Sequence, residues 1–234
     1  MTPATTPAPA SFADLPGLIA LLTGDTKHDQ ASMSTLDVLW VLYDRVLQVT
    51  PQTAGDDERD RFLLSKGHGP MAYYAVLAAK GFLDRAELPR FGSFGSILGL
   101  HPDHRLVPGA EISSGSLGHG LPLAAGVALG LRARGLTRPR VFVLTGDAEL
   151  DEGSNHEAIA VAARLRLDAL HAVVVDNASA SYGWPGGVEA RFAVEGWSVA
   201  RAEGRDHGAL AAALTAPHPG QPRLVVVTAT AKRR

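Results

Sequence analysis

The stretch Val141-Phe-Val-Leu-Thr-Gly-Asp-Ala-Glu-Leu-Asp-Glu-Gly153 decides the fold class of this chain. Its apolar start, within the run 140–144, has the length of a strand, and an acidic turn follows. A helical segment over 157–165 then leads to a second apolar run, 170–175, which ends in Asp176-Asn177. This order predicts one βαβ unit, and its right-handed crossover brings the ends of both strands to the same edge of a sheet.

Other segments continue the alternation of strands and helices. Apolar runs over 62–64 and 224–227 predict two more strands. Helical spacing and composition predict helices over 15–22, 34–49, 71–80, 121–134 and 210–214. The alternation predicts an α/β fold, with a mostly parallel sheet covered by helices on both faces. We expect one domain, residues 12–234, after a disordered leader, residues 1–11.

The composition excludes several classes of function. The 234 residues are 46% hydrophobic and 20% charged with a net charge of -2, so no nucleic-acid or anionic-membrane surface is indicated. There is no cysteine, which excludes disulfides, thiolate metal sites and cysteine nucleophiles and fits a cytoplasmic protein. No apolar run approaches the ~20 residues of a membrane-spanning helix, and the Pro/Thr/Ala-rich start does not resemble a signal peptide.

Two oxygen-bearing side chains follow the paired strands of the βαβ unit. Asp147 comes directly after the first strand and Asn177 after the second. In open α/β sheets, ligands bind in the crevice beyond the carboxyl ends of the strands. Carboxylate and amide oxygens suit Mg2+, which a few protein groups hold together with substrate phosphates. The pair therefore predicts a site for a Mg2+-bound diphosphate.

Neighbouring residues extend this predicted site. The backbone carbonyl of Ser179 is a candidate third metal ligand, and the small side chain of Ala148 allows a phosphate to approach the N–H groups of the turn. The alternative is that Asp147 only caps the next helix, as an acidic residue after a strand often does. The pairing with Asn177 at the spacing of a βαβ unit favours the metal interpretation.

This segment resembles the motif of thiamine diphosphate-dependent enzymes. In that motif a Gly-Asp-Gly turn, a helix and an Asn after the next strand hold the cofactor. Ala148 stands where the motif has its second glycine. The resemblance implies thiamine diphosphate and Mg2+ as cofactors and a diphosphate-binding type of domain.

Three more stretches resemble one branch of these enzymes, the transketolases. His28-Asp-Gln-Ala-Ser-Met-Ser34 is a loose form of the opening motif of that family. Arg59-Asp-Arg-Phe-Leu-Leu-Ser-Lys-Gly-His68 matches a long and specific family motif. His101-Pro102 and Ser114-Gly-Ser-Leu-Gly-His-Gly-Leu121 match two others. Together the matches cover nearly the whole chain after the leader.

The resemblance implies roles for individual residues. His28, His68 and His101 would be catalytic and line the substrate channel. Contacts to the cofactor are implied for His68, Gly115, Leu117, His119, Gly146, Asp147, Ala148 and Asn177. The metal ligands would be Asp147, Asn177 and Ser179. Glu152 and Glu157 match acidic residues that the family has at its dimer interface.

Histidine chemistry supports part of this assignment independently. Histidines donate hydrogen bonds and transfer protons near neutral pH, so histidines in glycine-flanked loops suit a catalytic site. His104, His207 and His218 are instead interpreted as structural or surface residues. His119 has two interpretations, one as a diphosphate contact and one as a residue that packs the turn.

The implied active site needs a second chain. In the family, a glutamate of another domain activates the cofactor, and that domain also binds its pyrimidine ring. This sequence is therefore similar to the N-terminal subunit of a split transketolase, and we expect a C-terminal, pyrimidine-domain partner in an α2β2 assembly. The implied reaction transfers a two-carbon ketol unit from a ketose-type donor to an aldehyde.

Two other functions remain open at this point. A 2-oxo acid decarboxylating or acyloin-forming enzyme would share the Asp147 and Asn177 site without needing the sugar-binding histidines. A degenerate subunit would bind the cofactor without catalysis. A Ser-His-Asp hydrolase is disfavoured because the chain has no Gly-x-Ser-x-Gly elbow.

Overall fold

The computed structural model describes residues 10–23, 29–67, 70–180 and 183–229, without the side chains of 29–32. Its centre is a five-stranded, fully parallel sheet with the order β1-β2-β3-β5-β4. The strands are β1 (Arg61–Leu64), β2 (Val141–Gly146), β3 (Leu170–Asp176), β4 (Ser198–Glu203) and β5 (Arg223–Thr228). The predicted βαβ unit, with β2 beside β3, is confirmed.

Seven α-helices within the described ranges cover the sheet. They are α1 (Leu15–Ile19), α2 (Asp29–Val41), α3 (Met71–Ala79), α4 (Gly120–Ala133), α5 (Gly153–Arg164), α6 (Gly187–Ala193) and α7 (His207–Thr215). One core cluster joins α1, α2, α3 and α7 to one face of the sheet, and a second joins α4, α5 and α6 to the other. The predicted α/β fold with helices on both faces is confirmed.

The alternation of β2 side chains shows why both faces need helices. Phe142 and Leu144 belong to the first cluster, whereas Val141 and Val143 belong to the second. All six residues of β2 are buried. A strand that is buried on both faces has a continuous apolar sequence, which is why the run was recognisable.

The sequence interpretation differed from the structure at several elements. The helix expected over 34–49 begins at Asp29 as α2 and ends in a π-helical segment, Leu42–Val46. α5 begins four residues before the expected start, because its polar first turn lacks an apolar pattern. β4 was not predicted, since it is an edge strand whose residues are mostly half-buried or exposed.

His171, near the amino end of β3, is the buried histidine of the sheet. Its ring stacks on Phe142 with centroids 4.3 Å apart, and the ring of His218 lies perpendicular to it with centroids 4.6 Å apart. Burial lowers the pKa of His171 well below its ordinary value, and the nearby His218, Arg140 and Arg223 act in the same direction. The folded chain therefore keeps this ring neutral.

We expect the stability of the chain to fall as the pH decreases below about 6.5, the ordinary pKa of histidine. Above that pH the ring of His171 is neutral in both states; below it, only the unfolded chain takes up the proton. The linkage costs up to about 1.4 kcal/mol per pH unit until the lowered pKa is reached. Urea unfolding between pH 8 and 5 measures this slope, and His171→Gln should reduce it. An equal slope in both proteins would contradict the assignment.

In the part of the chain that the structure describes, we find no helix with the length and apolar character needed to cross a membrane.

Candidate active site

Asp147 and Asn177 lie at the ends of neighbouring parallel strands. Gly146 pairs with Val175 in the register of β2 and β3, and the N–H of Asp147 donates to the carbonyl of Val175 at 3.1 Å. Asn177 follows the last residue of β3. The two residues therefore share the carboxyl edge of the sheet, as the βαβ pattern predicts.

The Asp147 carboxylate faces the loop that follows β3. Oδ1 accepts a hydrogen bond from the Ser179 hydroxyl at 2.5 Å, and Oδ2 accepts from the N–H groups of Ser179 and Ala180 at 2.6 and 3.1 Å. Asp147 occupies the position before a short 3-10 helix, Ala148–Asp151, but its side chain accepts no capping hydrogen bond from the N–H groups of that helix, all of which the structure describes. The interpretation of Asp147 as a helix cap is therefore wrong.

The Asn177 side chain carries an unsatisfied oxygen. Asn177 is 3% exposed, and its Oδ1 has no hydrogen-bond partner among the described residues. A buried acceptor without a protein partner costs about 1–3 kcal/mol, and a bound ion is one accepted explanation for such an acceptor. The next residue, Ala178, has a φ of 57°, a left-handed conformation that costs a non-glycine residue about 1–3 kcal/mol. Strain and an orphan oxygen at one loop fit a site that a cation completes.

The remaining predicted diphosphate residues fit the same edge. Ser179, the expected third ligand, is fixed against Asp147 by its hydroxyl and its N–H. Among the described non-glycine residues, only Arg166 and Ala178 have positive φ, so Ala148 occupies its turn without strain. The described residues contain no cluster of three His, Cys, Asp or Glu side chains that could hold a metal. A carboxylate, an amide and backbone oxygen, with phosphates, suit Mg2+ better than such a cluster would.

A second group of loops meets beside the end of β1. His101 Nδ1 lies 3.0 Å from the carbonyl of Gly67, and the Ser114 hydroxyl donates to the carbonyl of Leu64 at 2.5 Å. A Cβ on Gly67 would lie 2.8 Å from the N of Gly115, so the two backbones touch directly. The three predicted motif segments around residues 67, 101 and 115 therefore converge.

The comparisons with known proteins agree with this geometry. The profile described as "Transketolase, thiamine diphosphate binding domain" matches residues 20–231. The chain belongs to this family. The resemblance inferred from the sequence motifs is confirmed.

Individual relatives define the branch of the family. The chain is 56% identical over 224 residues to "Ferredoxin fas2" of Rhodococcoides fascians, covering 96% of this chain and 74% of that protein. It is 35% identical over 210 residues to a subunit of the apulose-4-phosphate transketolase of Actinobacillus succinogenes, covering 87% and 76%. The chain is thus similar to the thiamine diphosphate-binding subunits of split transketolases.

A solved structure shows the same relation. Transketolase from Leishmania mexicana superimposes with a TM-score of 0.77 at 25% identity, covering 95% of this chain. The match spans 37% of the Leishmania chain. This transketolase-family chain therefore corresponds to part of a full-length transketolase.

The predicted catalytic histidines of this transketolase-family chain are only partly described. His28 and His68 lie outside the described residues. His101 is described, and because a carbonyl only accepts, its Nδ1–H donates to Gly67. The neutral ring then carries no proton on Nε2. A Cβ on Gly115 would lie 3.2 Å from the His101 ring, so glycine lets this ring lie against the turn.

The turn before α4 presents the other predicted contacts. Leu117 is 37% exposed although it is a large apolar residue. His119 is exposed at the start of α4, and its Nε2 lies 3.5 Å from the Ser116 hydroxyl. Glu152 and Glu157, matched to interface residues of the family, are also exposed. These positions are accessible to a cofactor or a second chain.

The three histidines interpreted as structural have partners within the chain. His207 contacts Asp37 at 2.7 Å, His104 contacts Ser113 at 2.9 Å, and His218 contacts the carbonyl of Gln221 at 2.7 Å. These contacts belong to turns and helix packing, and none of them involves the pair Asp147 and Asn177.

Sequence reasoning assigned no role to Glu149, which is buried inside the site. It is 1% exposed, and its carboxylate accepts hydrogen bonds from Ser65, Gly118 and Gly146. Burial raises the pKa of Glu149, while those three donors and the nearby Lys66 act to lower it. The only sequence signal was its place in the acidic turn, where a solvated side chain is the ordinary expectation.

Proposed function

We propose that this chain binds thiamine diphosphate with Mg2+ and, with a pyrimidine-domain partner, transfers a two-carbon ketol unit from a ketose to an aldehyde. The observation that carries the proposal is the unsatisfied Oδ1 of buried Asn177 at the same sheet edge as the Asp147 carboxylate. The relatives named as transketolase subunits support the split arrangement.

The residues of the chain have distinct tasks in this proposal. Asp147, Asn177 and the Ser179 carbonyl would hold Mg2+, and the turn at Gly146 and Ala148 would face the diphosphate. Thiamine diphosphate, when bound, supplies the nucleophilic carbon that cleaves and forms carbon–carbon bonds. His101, with Nδ1–H fixed on Gly67, presents its ring beside Gly115, where its unprotonated Nε2 can accept a hydrogen bond from a hydroxyl of the substrate. His28 and His68 are proposed for the same channel from sequence alone.

Calorimetry of the chain with its partner tests the cofactor assignment. We expect thiamine diphosphate to bind with Mg2+ and to be released by a chelator such as EDTA. Light scattering should give the mass of an α2β2 assembly, and a phosphorylated ketose with an aldose phosphate should give ketol transfer. Absence of Mg2+-dependent binding would contradict the proposal. Binding without turnover of any donor would favour the non-catalytic subunit. The cytoplasmic location stays a prediction.

A second candidate function is decarboxylation of a 2-oxo acid. The relative named ferredoxin favours it, because an oxidative decarboxylation releases two electrons that need an acceptor. Ferredoxins carry electrons on iron–sulfur clusters held by cysteine. This chain has no cysteine, so any such cluster would belong to another protein. Release of labelled CO2 from carboxyl-labelled pyruvate with a ferredoxin present, and no ketol transfer, would select this function.

A further inference from the structure

Glu149 joins three segments of the candidate site through its carboxylate. Oε1 accepts from the Ser65 hydroxyl and from the Gly118 N–H, the latter at 2.9 Å. Oε2 accepts from the Gly146 N–H at 3.4 Å. The donors belong to the end of β1, the turn before α4 and the end of β2. One side chain therefore contacts all three segments.

The Ser65 hydroxyl extends this network to α4. Its Oγ accepts the N–H of Gly120, the first residue of the helix, at 2.9 Å. A hydroxyl has one proton to donate, and Ser65 donates it to Glu149. The direction of the network is therefore fixed, from the Gly120 amide through the Ser65 hydroxyl to the Glu149 carboxylate.

Close packing makes this alignment demanding. A Cβ on Gly118 would lie 2.6 Å from the Cβ of Glu152, and a Cβ on Gly120 would lie 2.1 Å from the Cβ of Ser65. The segments therefore pack so closely that neither glycine leaves room for a side chain of its own. Steric contact blocks closer approach, and the hydrogen bonds to Glu149 oppose separation.

A carboxylate suits this position better than an amide. An ionised carboxylate only accepts, so all three donors find an acceptor. Glutamine would turn its NH2 group toward at least one N–H or O–H donor. The Lys66 charge acts on Glu149, and the Lys66 side chain runs 3.4 Å from where a Cβ of Gly146 would stand. The lysine thus offsets the charge of the buried acid.

We propose that Glu149 is a positioning residue, which holds the turn 115–119 and the segment 65–67 against the Asp147 turn and so sets the affinity for thiamine diphosphate. It does this without touching the cofactor. The inference rests on the proposed function, because the cofactor contacts of these segments come from it.

Calorimetric titration of the two-chain complex with thiamine diphosphate and Mg2+ tests the proposal. We expect Glu149→Gln to weaken binding about 10-fold to 100-fold, the usual effect of removing a group that orients ligands. Ser65→Ala, which removes one link, should weaken it about 10-fold on the same grounds. If Glu149→Gln does not fold, the binding measured for Ser65→Ala tests the proposal.

Asp60→Asn is the matched control. Asp60 is also a buried carboxylate, 2% exposed, but it binds Arg140 and the N–H of Gln48 at the amino edge of the sheet. This variant should lower the unfolding temperature and leave cofactor affinity within about twofold of wild type. The comparison separates positioning of the site from general loss of stability.

Amide hydrogen exchange supplies a readout that needs no cofactor. The amides of Gly118 and Gly120 should exchange faster in Glu149→Gln than in wild type. Folded Glu149→Gln and Ser65→Ala complexes that bind within about twofold of wild type would overturn the inference and leave the proposed function intact. If the wild-type complex does not bind thiamine diphosphate, the proposed function fails. In that case the exchange measurement still tests the positioning role: equal exchange of the two amides in Glu149→Gln and wild type would show that Glu149 does not hold the turn.

Discussion

Replacing Asp147 with asparagine is expected to weaken Mg2+-dependent binding of thiamine diphosphate by about 100-fold or more, which corresponds to about 2.7 kcal/mol. The substitution keeps the shape of the side chain and removes its charge. In the proposed site, Mg2+ would then lose the anionic ligand that Asp147 offers beside the neutral Asn177. The three donors from Ser179 and Ala180 also meet a poorer acceptor, since an amide presents one oxygen instead of two.

The same titration with Asp168→Asn is the control for the change in net charge. Asp168 is an exposed residue in the turn before β3, at the opposite edge of the sheet. We expect this variant to bind the cofactor within about twofold of wild type, because exposed charges farther away than the ~8 Å Debye length at physiological salt are largely screened. If Asp147→Asn binds as tightly as this control, the metal assignment is wrong.

Replacing Gly120 with alanine is expected to destabilise the chain by about 3 kcal/mol or more. The new Cβ would meet the Ser65 side chain at 2.1 Å and its backbone Cα at 2.8 Å, so β1 or α4 must move. The movement also breaks the bond from the Gly120 N–H to the Ser65 hydroxyl. Overpacking of this kind ordinarily costs about 1–3 kcal/mol before the lost hydrogen bond is added.

Gly126 of the same helix provides a control with the opposite sign. A Cβ there would meet nothing within 4 Å, and alanine favours a helix over glycine by about 0.5–1 kcal/mol. Gly126→Ala should therefore raise the unfolding temperature slightly, while Gly120→Ala lowers it by about 6–12 °C for a chain of this size. Thermal unfolding followed by circular dichroism compares them. Similar unfolding temperatures for the two variants would contradict the packing at Gly120.

The fold was predictable where burial is nearly complete. β2 and β3 are continuous apolar runs because both faces of these central strands are covered, and the helix between them follows from chain length and handedness. β4 was missed because an edge strand needs no apolar run. An apolar run therefore indicates that a strand is buried, and a strand that is not buried on both faces can lack such a run.

The candidate site was predictable only in part, and the network around Glu149 illustrates the limit. Its sequence context predicts that Glu149 is a solvated acid in a turn. In the structure it is buried among hydrogen-bond donors from segments that lie 31 and 84 residues away in the chain. No local pattern reports such contacts, since they depend on how distant loops meet. The hydrogen bond between the Gly120 N–H and the Ser65 hydroxyl likewise depends on the packing of two distant segments.

By itself, the sequence determined the order of most strands and helices and the placement of Asp147 and Asn177 after adjacent strands. It could do so because apolar periodicity and crossover handedness act over short distances along the chain. Only the tertiary structure decided that Asp147 binds the loop after β3 instead of capping a helix, that the Asn177 oxygen is unsatisfied among the described residues, and that Glu149 is buried. Those properties depend on which groups exclude water from one another, and contacts between distant segments settle that.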